Sequence, residues 1–88
     1  MQQILKYQSP YVNILQREVN KRVRYYSIRI YQTLFDDYLV QINYGSLKNK
    51  SPTGKKEEYY QKLEDALIAS KQIIEKKLKR GYKKTWAI

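Results

Sequence analysis

Two runs of alternating side chains, joined by only four residues, constrain this chain more than any other feature. They cover residues 24–33 and 38–44. Apolar or aromatic side chains fall at every second position, at Tyr26, Ile28 and Ile30 in the first run and Tyr38, Val40, Ile42 and Tyr44 in the second. A period of two is that of a β-strand. The connection contains Asp36 and Asp37, which favour turns, so the two runs predict a β-hairpin.

The chain after this hairpin predicts a loop, a further strand and a helix. Residues 47–54 are typical of a loop, and residues 55–61 of a third strand. Residues 62–80 carry an apolar stripe at spacings of three and four, formed by Leu63, Ala66, Leu67, Ser70, Ile73, Ile74 and Leu78. This is the period of an amphipathic helix packed on one face. Gly81 is positioned to end that helix, and we expect Trp86 to fold back onto the domain.

The chain before the hairpin has a weaker pattern. Alternation within residues 7–20 fits an edge-like strand that follows Pro10, and the polar residues 17–24 are typical of a connection. At the other end of the second run, Gly45 predicts a bulge or a tight bend. Together the elements predict an α+β fold in which a small antiparallel sheet of three to five strands packs against one long C-terminal α-helix.

Length and composition limit the classes of protein. With 88 residues, the chain fits a single domain over residues 1–88 with one modest core. It has no cysteine and no histidine, so disulfides, thiol nucleophiles, zinc sites and histidine acid–base chemistry are excluded. The carboxylates are spread thinly, and neighbouring acids on a strand point to opposite faces. We therefore expect no metal ion and no cofactor.

The sequence also bears on location. No apolar run approaches the ~20 residues of a membrane span, and residues 1–11 lack the apolar region of a secretory signal. We therefore expect a cytoplasmic protein, including one associated with the nucleoid, with no membrane partner and no small-molecule substrate.

Five short motifs, in a fixed order, resemble the WGR domain family. They are RYYSIRI at 24–30, LFDDYLV at 34–40, YGSL at 44–47, LEDAL at 63–67 and KLKRGY at 77–82. The resemblance covers residues 15–83, about four fifths of the chain. It implies a stand-alone WGR-like domain that binds DNA, because WGR domains of DNA-dependent poly(ADP-ribose) polymerases contact DNA ends. The catalytic activity of those enzymes belongs to a separate domain, so the resemblance implies no enzymatic activity here.

The signature Trp-Gly-Arg of the family is degenerate in this chain, where it reads Tyr44-Gly45-Ser46. In the family, the Trp stacks on the sugar at a DNA end and the Arg supports contacts around that end. The resemblance therefore implies a stacking role for Tyr44, but Ser46 has no charge and cannot take the role of the Arg. A packing role is the alternative for Tyr44, since it shares a strand face with Val40 and Ile42.

The net charge of +10 comes from clusters of Lys and Arg, which suit the phosphates of a nucleic acid. These clusters are residues 17–29, the loop 48–56 and residues 76–84. The alternative is a solvated surface that keeps the protein soluble. The candidate nucleic-acid-binding residues are Tyr44, Ser46, Lys48, Lys50, Lys55, Lys56, Arg22, Arg24, Lys79, Arg80, Lys83 and Lys84.

Two functions remain open from the sequence. The first is a non-catalytic module that holds duplex DNA, including ends or nicks, mainly through phosphate-backbone contacts. The second is a protein–protein interaction module without a direct role on DNA, whose partner is an acidic protein or a second copy of the chain. A steep salt dependence of nucleic-acid binding would favour the first.

Overall fold

The computed structural model describes residues 5–7 and 11–87, with side chains described for residues 11–85. Within these residues, six strands and one helix form the fold. They are β1 (Leu5–Tyr7), β2 (Val12–Val19), β3 (Arg22–Thr33), β4 (Tyr38–Ser46), β5 (Gly54–Tyr60), α1 (Leu63–Lys79) and β6 (Lys83–Ala87). The predicted α+β class, with an antiparallel sheet covered by one helix, is confirmed.

The sheet is antiparallel throughout, in the order β5-β4-β3-β2-β6, and the short β1 pairs with the end of β3 beyond β2. The predicted hairpin of β3 and β4 is confirmed. The prediction that β2 lies at an edge is wrong, because β6 pairs with its outer side. The backbone of Trp86 belongs to β6, whereas its side chain, expected to fold back, lies outside the described residues.

A two-residue turn joins β2 to β3, so the prediction of a connection over residues 17–24 is also wrong. Val19 and Arg22 are register partners, and only Asn20 and Lys21 lie between them. Both turn residues have positive φ, 53° and 64°, as a type I′ hairpin turn requires. The polar residues on either side continue the strands and lie largely exposed, so their sequence shows no apolar alternation.

The β3–β4 turn is held by Thr33 and Asp37, as the acidic pair of the connection predicted. The Thr33 hydroxyl donates a hydrogen bond to the Asp37 carboxylate, and the Phe35 N–H donates to Thr33 Oγ1 at 3.1 Å. The Thr33 N–H donates to the Asp37 carbonyl at 3.0 Å. These bonds bring the ends of the two long strands together and fix their register.

Helix α1 lies on one face of the sheet and covers the core. Its buried line is Ala66, Ser70 and Ile74, one residue per turn. The outer members of the predicted stripe are more exposed, because the helix rests on this narrow line. Leu63 and Leu67 keep 42% and 38% of their surface exposed. The core beneath consists of Leu15, Ile28, Ile30, Val40, Ile42, Ala66, Ile74 and Tyr82.

The end of α1 directs the chain back to the sheet. Acidic Glu64 and Asp65 occupy its first turn and lysines its last turn, as the helix dipole favours. Gly81 takes a φ of +95°, and the Tyr82 N–H donates to the Lys77 carbonyl at 3.0 Å. The predicted glycine stop is confirmed. It places Tyr82 in the core, and β6 then follows beside β2.

Candidate nucleic-acid interface

Three tyrosines form a cluster on the helix-covered face of the sheet, beside the C-terminal end of α1. Tyr26 and Tyr44 are register partners on β3 and β4, and their rings stack with centroids 5.1 Å apart and planes 18° apart. Tyr82 meets Tyr26 edge-on at 5.4 Å. We call Tyr26, Tyr44 and Tyr82 the tyrosine cluster. Lys77 places its Nζ atom 4.1 Å from the Tyr26 centroid, a cation–π contact that holds a positive charge above the cluster.

The ring of Tyr44 lies over Gly54, its register partner on β5. A Cβ at residue 54 would lie 2.2 Å from Cζ of Tyr44, far inside van der Waals contact, so only glycine leaves room for the ring. Tyr44 packs against the hydrophobic core, which confirms the packing alternative. Tyr44 as a whole is half-buried, and its contact with DNA remains a prediction.

Gly45 lies within regular strand β4 and forms no bend. It is the register partner of Tyr25 in an unbroken ladder, so the predicted bulge is wrong. The reason for glycine is the loop over residues 47–53, which folds against the strand. A Cβ at residue 45 would lie 2.8 Å from the Thr53 backbone nitrogen, and the same N–H donates to the Tyr44 carbonyl at 2.8 Å.

Ser46 fixes the start of that loop. Its Oγ accepts a hydrogen bond from the Lys48 N–H at 3.3 Å, and its carbonyl accepts one from the Asn49 N–H at 3.0 Å. Its register partner on β3 is Arg24. A guanidinium group therefore lies on the neighbouring strand, directly across from the position that carries Arg in the family signature.

A depression opens around these residues at the end of the sheet. Its volume is about 310 Å³. It is lined by Arg22, Arg24, Tyr25, Tyr26, Tyr44, Gly45, Ser46, Asn49, Thr53 and Tyr82. We call it the strand-end depression. Its lining combines four tyrosines with two arginines, which suit the sugar and phosphates of a nucleic acid.

A larger groove, of about 560 Å³, runs between α1 and the β5 edge of the sheet. It is lined by Tyr26, Ile42, Lys56, Glu58, Ile73, Lys76, Lys77, Lys79 and Arg80. We call it the helix-edge groove. Glu58 is the one carboxylate among the described residues that line it, against five cationic side chains. Tyr26 lines both depressions, so they meet at the tyrosine cluster.

The sequence-predicted candidates are only partly brought together. Arg22, Arg24, Tyr44 and Ser46 line the strand-end depression, and Lys56, Lys79 and Arg80 line the helix-edge groove. Lys48 and Lys50 lie exposed in the loop over residues 47–53.

Three other candidates lie outside both depressions. Lys55 alternates with Lys56 along β5 and therefore lies on the opposite face of the sheet, where it forms an ion pair with Glu57 at 3.5 Å. Lys83 and Lys84 are exposed on β6.

Tyr26, Tyr82, Lys76 and Lys77 line the two depressions, but they were not among the predicted binding residues. A signal existed for Tyr26, since it shares the alternation of Ile28 and Ile30. It also existed for Lys76 and Lys77, which belong to a basic cluster of the sequence. Tyr82 reaches the depression only because the glycine stop reverses the chain.

Two further findings bear on the kind of site. Within residues 5–7 and 11–87, no helix has the length and apolar character needed to cross a membrane. The same residues contain no group of three or more acidic, cysteine or histidine side chains placed to hold a metal ion.

Comparisons with known proteins identify the family. No curated protein matches the chain, and no solved structure matches it either. The family model of the WGR domain matches residues 11–86. This range contains both depressions, from Arg22 on β3 to Tyr82 after the helix. The chain therefore belongs to the WGR domain family, whose members are in general nucleic-acid-binding modules.

Proposed function

We propose that this protein is a non-catalytic module that binds duplex DNA, mainly through its phosphate backbone and with a preference for ends or nicks. The observation that carries the proposal is the convergence of cations on one surface. These cations line two depressions that meet at Tyr26, and they are Arg22, Arg24, Lys56, Lys76, Lys77, Lys79 and Arg80.

The physical reason is the polyanionic backbone of DNA. Each phosphate neutralised by Lys or Arg releases condensed counterions, which favours binding without reading sequence. The surface offers little repulsion, because Glu58 is the single acid among the described residues of the helix-edge groove. A cytoplasmic location, including association with the nucleoid, agrees with such a ligand.

Tyr44 supplies the preference for an end. Since Tyr26 and Gly54 both lie against its ring, the ring is fixed before DNA arrives and offers only its exposed part. We therefore propose that it packs against the sugar of a terminal or nicked nucleotide instead of inserting between stacked base pairs. Arg22 and Arg24 on the same depression then contact the adjoining phosphates.

The test is a titration by fluorescence anisotropy with blunt, nicked and closed-dumbbell duplexes at 50–200 mM NaCl. Four to six phosphate contacts predict a slope of log K against log salt of about −4 to −5. A flat response would rule the proposal out. In that case, light scattering and pull-down after nuclease treatment would test the protein-interaction alternative.

Matched variants test the position of the surface. Lys56→Gln with Lys79→Gln removes two charges from the helix-edge groove, whereas Lys62→Gln with Lys71→Gln removes two exposed charges elsewhere on the chain. We expect the first pair to reduce the salt slope by about 2 and the second to leave it nearly unchanged. Equal effects would indicate a diffuse charge effect without a defined surface.

A second pair of variants tests the end preference. Tyr44→Leu should weaken binding to blunt ends about fivefold or more, because a lost stacking contact is worth ~1–3 kcal/mol. Binding to the closed dumbbell should change by less than twofold. Tyr44→Phe keeps the ring and should retain the preference; an equal loss on all probes would instead point to altered packing.

A further inference from the structure

The face of the sheet opposite α1 carries a second set of aromatic and polar side chains. We call it the open face, since no described element packs over its centre. On the central strand β3 it presents Tyr25, Arg29 and Tyr31, and on β4 it presents Gln41 and Asn43. These five side chains are half-buried, so each has a supporting contact and a solvent-facing part. They line a shallow depression of about 480 Å³.

We propose that the open face is a second nucleic-acid surface, which binds single-stranded nucleic acid by stacking bases on Tyr25 and Tyr31. This surface adjoins the strand-end depression at Tyr25, which lines both, and extends away from it along β3 to Tyr31. The proposal does not depend on the duplex site. The two rings lie six residues apart on one strand, about 20 Å at ~3.3 Å per residue. An unstacked strand that lies along β3 can therefore place one base on each ring, as single strands do on the aromatic face of a sheet.

The side chains between the rings are chemically suited to bases and their backbone. The Arg29 Nε atom lies 3.4 Å from Ser27 Oγ, which anchors a guanidinium group between the two tyrosines. Such a group stacks on a base or binds a phosphate. Gln41 and Asn43 carry amides, which donate to and accept from base edges.

The charge of the depression favours a nucleic acid as the occupant. Arg29 is the one charged side chain among the described residues that line it, and the nearest acid on this face is already engaged. Glu57 accepts a hydrogen bond from Gln41 at 3.0 Å and pairs with Lys55 at 3.5 Å. An unstacked strand supplies both bases for the rings and phosphates for Arg29. An apolar protein surface would leave the amides and Arg29 without partners.

The experiment compares three labelled probes: a dT12 strand, a 12-residue abasic strand with the same phosphates, and a 12-base-pair duplex. We expect the protein to bind dT12 at least tenfold more tightly than the abasic strand. Tyr31→Ala should weaken binding to dT12 by about 5- to 100-fold, because base–aromatic stacking on this ring is lost. Since Tyr31 lines neither depression of the duplex site, the variant should leave binding to the abasic strand and the duplex within twofold.

Controls separate this site from the duplex site and from misfolding. Tyr31→Phe keeps the ring and should retain at least half of the affinity for dT12. Circular dichroism checks the fold; should the alanine variant be unfolded, Tyr31→Leu retains apolar volume without a flat ring. The pair Lys56→Gln with Lys79→Gln should weaken binding to the duplex. It should change the ratio of the affinities for dT12 and the abasic strand by a smaller factor.

Three results would overturn the inference. They are equal affinity for dT12 and the abasic strand, an equal loss on all three probes, and a dimer in light scattering that dissociates on Tyr31→Ala. The last would assign the open face to a second copy of the chain. If the protein bound dT12 but not the duplex, the proposed function would be refuted and this inference would stand.

Discussion

At residue 54, the ring of a neighbouring tyrosine leaves no space for a side chain larger than that of glycine. Gly54 opens β5, and Tyr44 of β4 lies across it, with its other neighbour Tyr26 stacked 5.1 Å away. The ring cannot move toward Tyr26 without breaking the stack. Gly54 and Tyr44 therefore form one structural unit, although they are ten positions apart in the sequence.

We predict that Gly54→Ala lowers the free energy of unfolding by about 1–3 kcal/mol, the range for overpacking. The added Cβ would lie 2.2 Å from Cζ of Tyr44, so the ring must leave its place. Urea denaturation measures the change. In a Tyr44→Ala background the same substitution should cost less than 0.5 kcal/mol, because the obstructing ring is gone; equal losses in both backgrounds would refute this coupling.

Among the elements, the β2–β3 hairpin is the one most constrained by backbone geometry. Asn20 and Lys21 both have positive φ. Asparagine tolerates the left-handed region, whereas lysine is destabilised there because its Cβ crowds the following carbonyl oxygen. The turn keeps β2 and β3 in register, and β3 carries both Tyr26 and the open-face tyrosines.

We predict that Lys21→Gly raises the free energy of unfolding by about 0.5–1 kcal/mol, since Asn-Gly is the preferred pair of a type I′ turn. Lys21→Ala is the matched control: it removes the same charge but retains the unfavourable φ. Thermal melting should therefore show stabilisation with glycine and none with alanine. Equal shifts for the two variants would assign the effect to charge.

The sequence predicted those elements whose periodicity is imposed by burial. In β3 and β4, Ile28, Ile30 and Val40 alternate because one face covers the core, and the stripe of α1 arises for the same reason. At the start of β3 and the end of β2 both faces are largely exposed, so residues such as Arg17 and Glu18 carry no alternation, and the hairpin there was missed.

The same reasoning explains what could be predicted of the site. β6 was missed because Lys83 and Lys84 have no apolar pattern and pair only with a distant strand. The basic clusters were visible in the sequence, but periodicity does not say which clusters share a surface. Lys56 and Lys79 line the same groove because α1 packs across the sheet edge, whereas Lys55 lies on the opposite face.

A tyrosine that packs against the hydrophobic core titrates with alkali. Burial raises the pKa of Tyr11 above its ordinary value of 10.0, and the nearby Ser70 side chain offsets a smaller part of this rise. The unfolded chain therefore loses this proton at a lower pH than the folded chain. Between the two pKa values the folded state binds more protons, so stability falls as pH rises above about 10.

We predict that Tyr11→Phe flattens this alkaline fall, measured by urea denaturation between pH 9 and 11.5. Ser70→Ala is the matched control, because it keeps the Tyr11 hydroxyl and should retain the alkaline fall of stability. An unchanged alkaline slope would show that Tyr11 does not carry the linkage.

For the whole molecule, the net charge of +10 acts on folding and on binding in opposite ways. Like charges crowd the two depressions, and the folded state holds them closer together than the unfolded chain does. The ion pair of Lys55 and Glu57, at 3.5 Å and largely exposed, offsets little of this repulsion. Salt screens both the repulsion within the protein and its attraction to a polyanion.

We therefore predict that NaCl stabilises the fold while it weakens nucleic-acid binding. Between 20 and 500 mM NaCl, the free protein should gain about 0.5 kcal/mol, or about 2–4 °C in melting temperature. Lys48→Gln with Lys50→Gln removes two exposed charges and should reduce that gain. Bound to duplex DNA, the protein should instead lose melting temperature with salt, because the contribution of the ligand falls with its affinity. If salt lowered the melting temperature of the free protein as well as that of the DNA complex, repulsion between the cations would not limit the stability of the fold. The cations would then have to be neutralised by other groups of the protein.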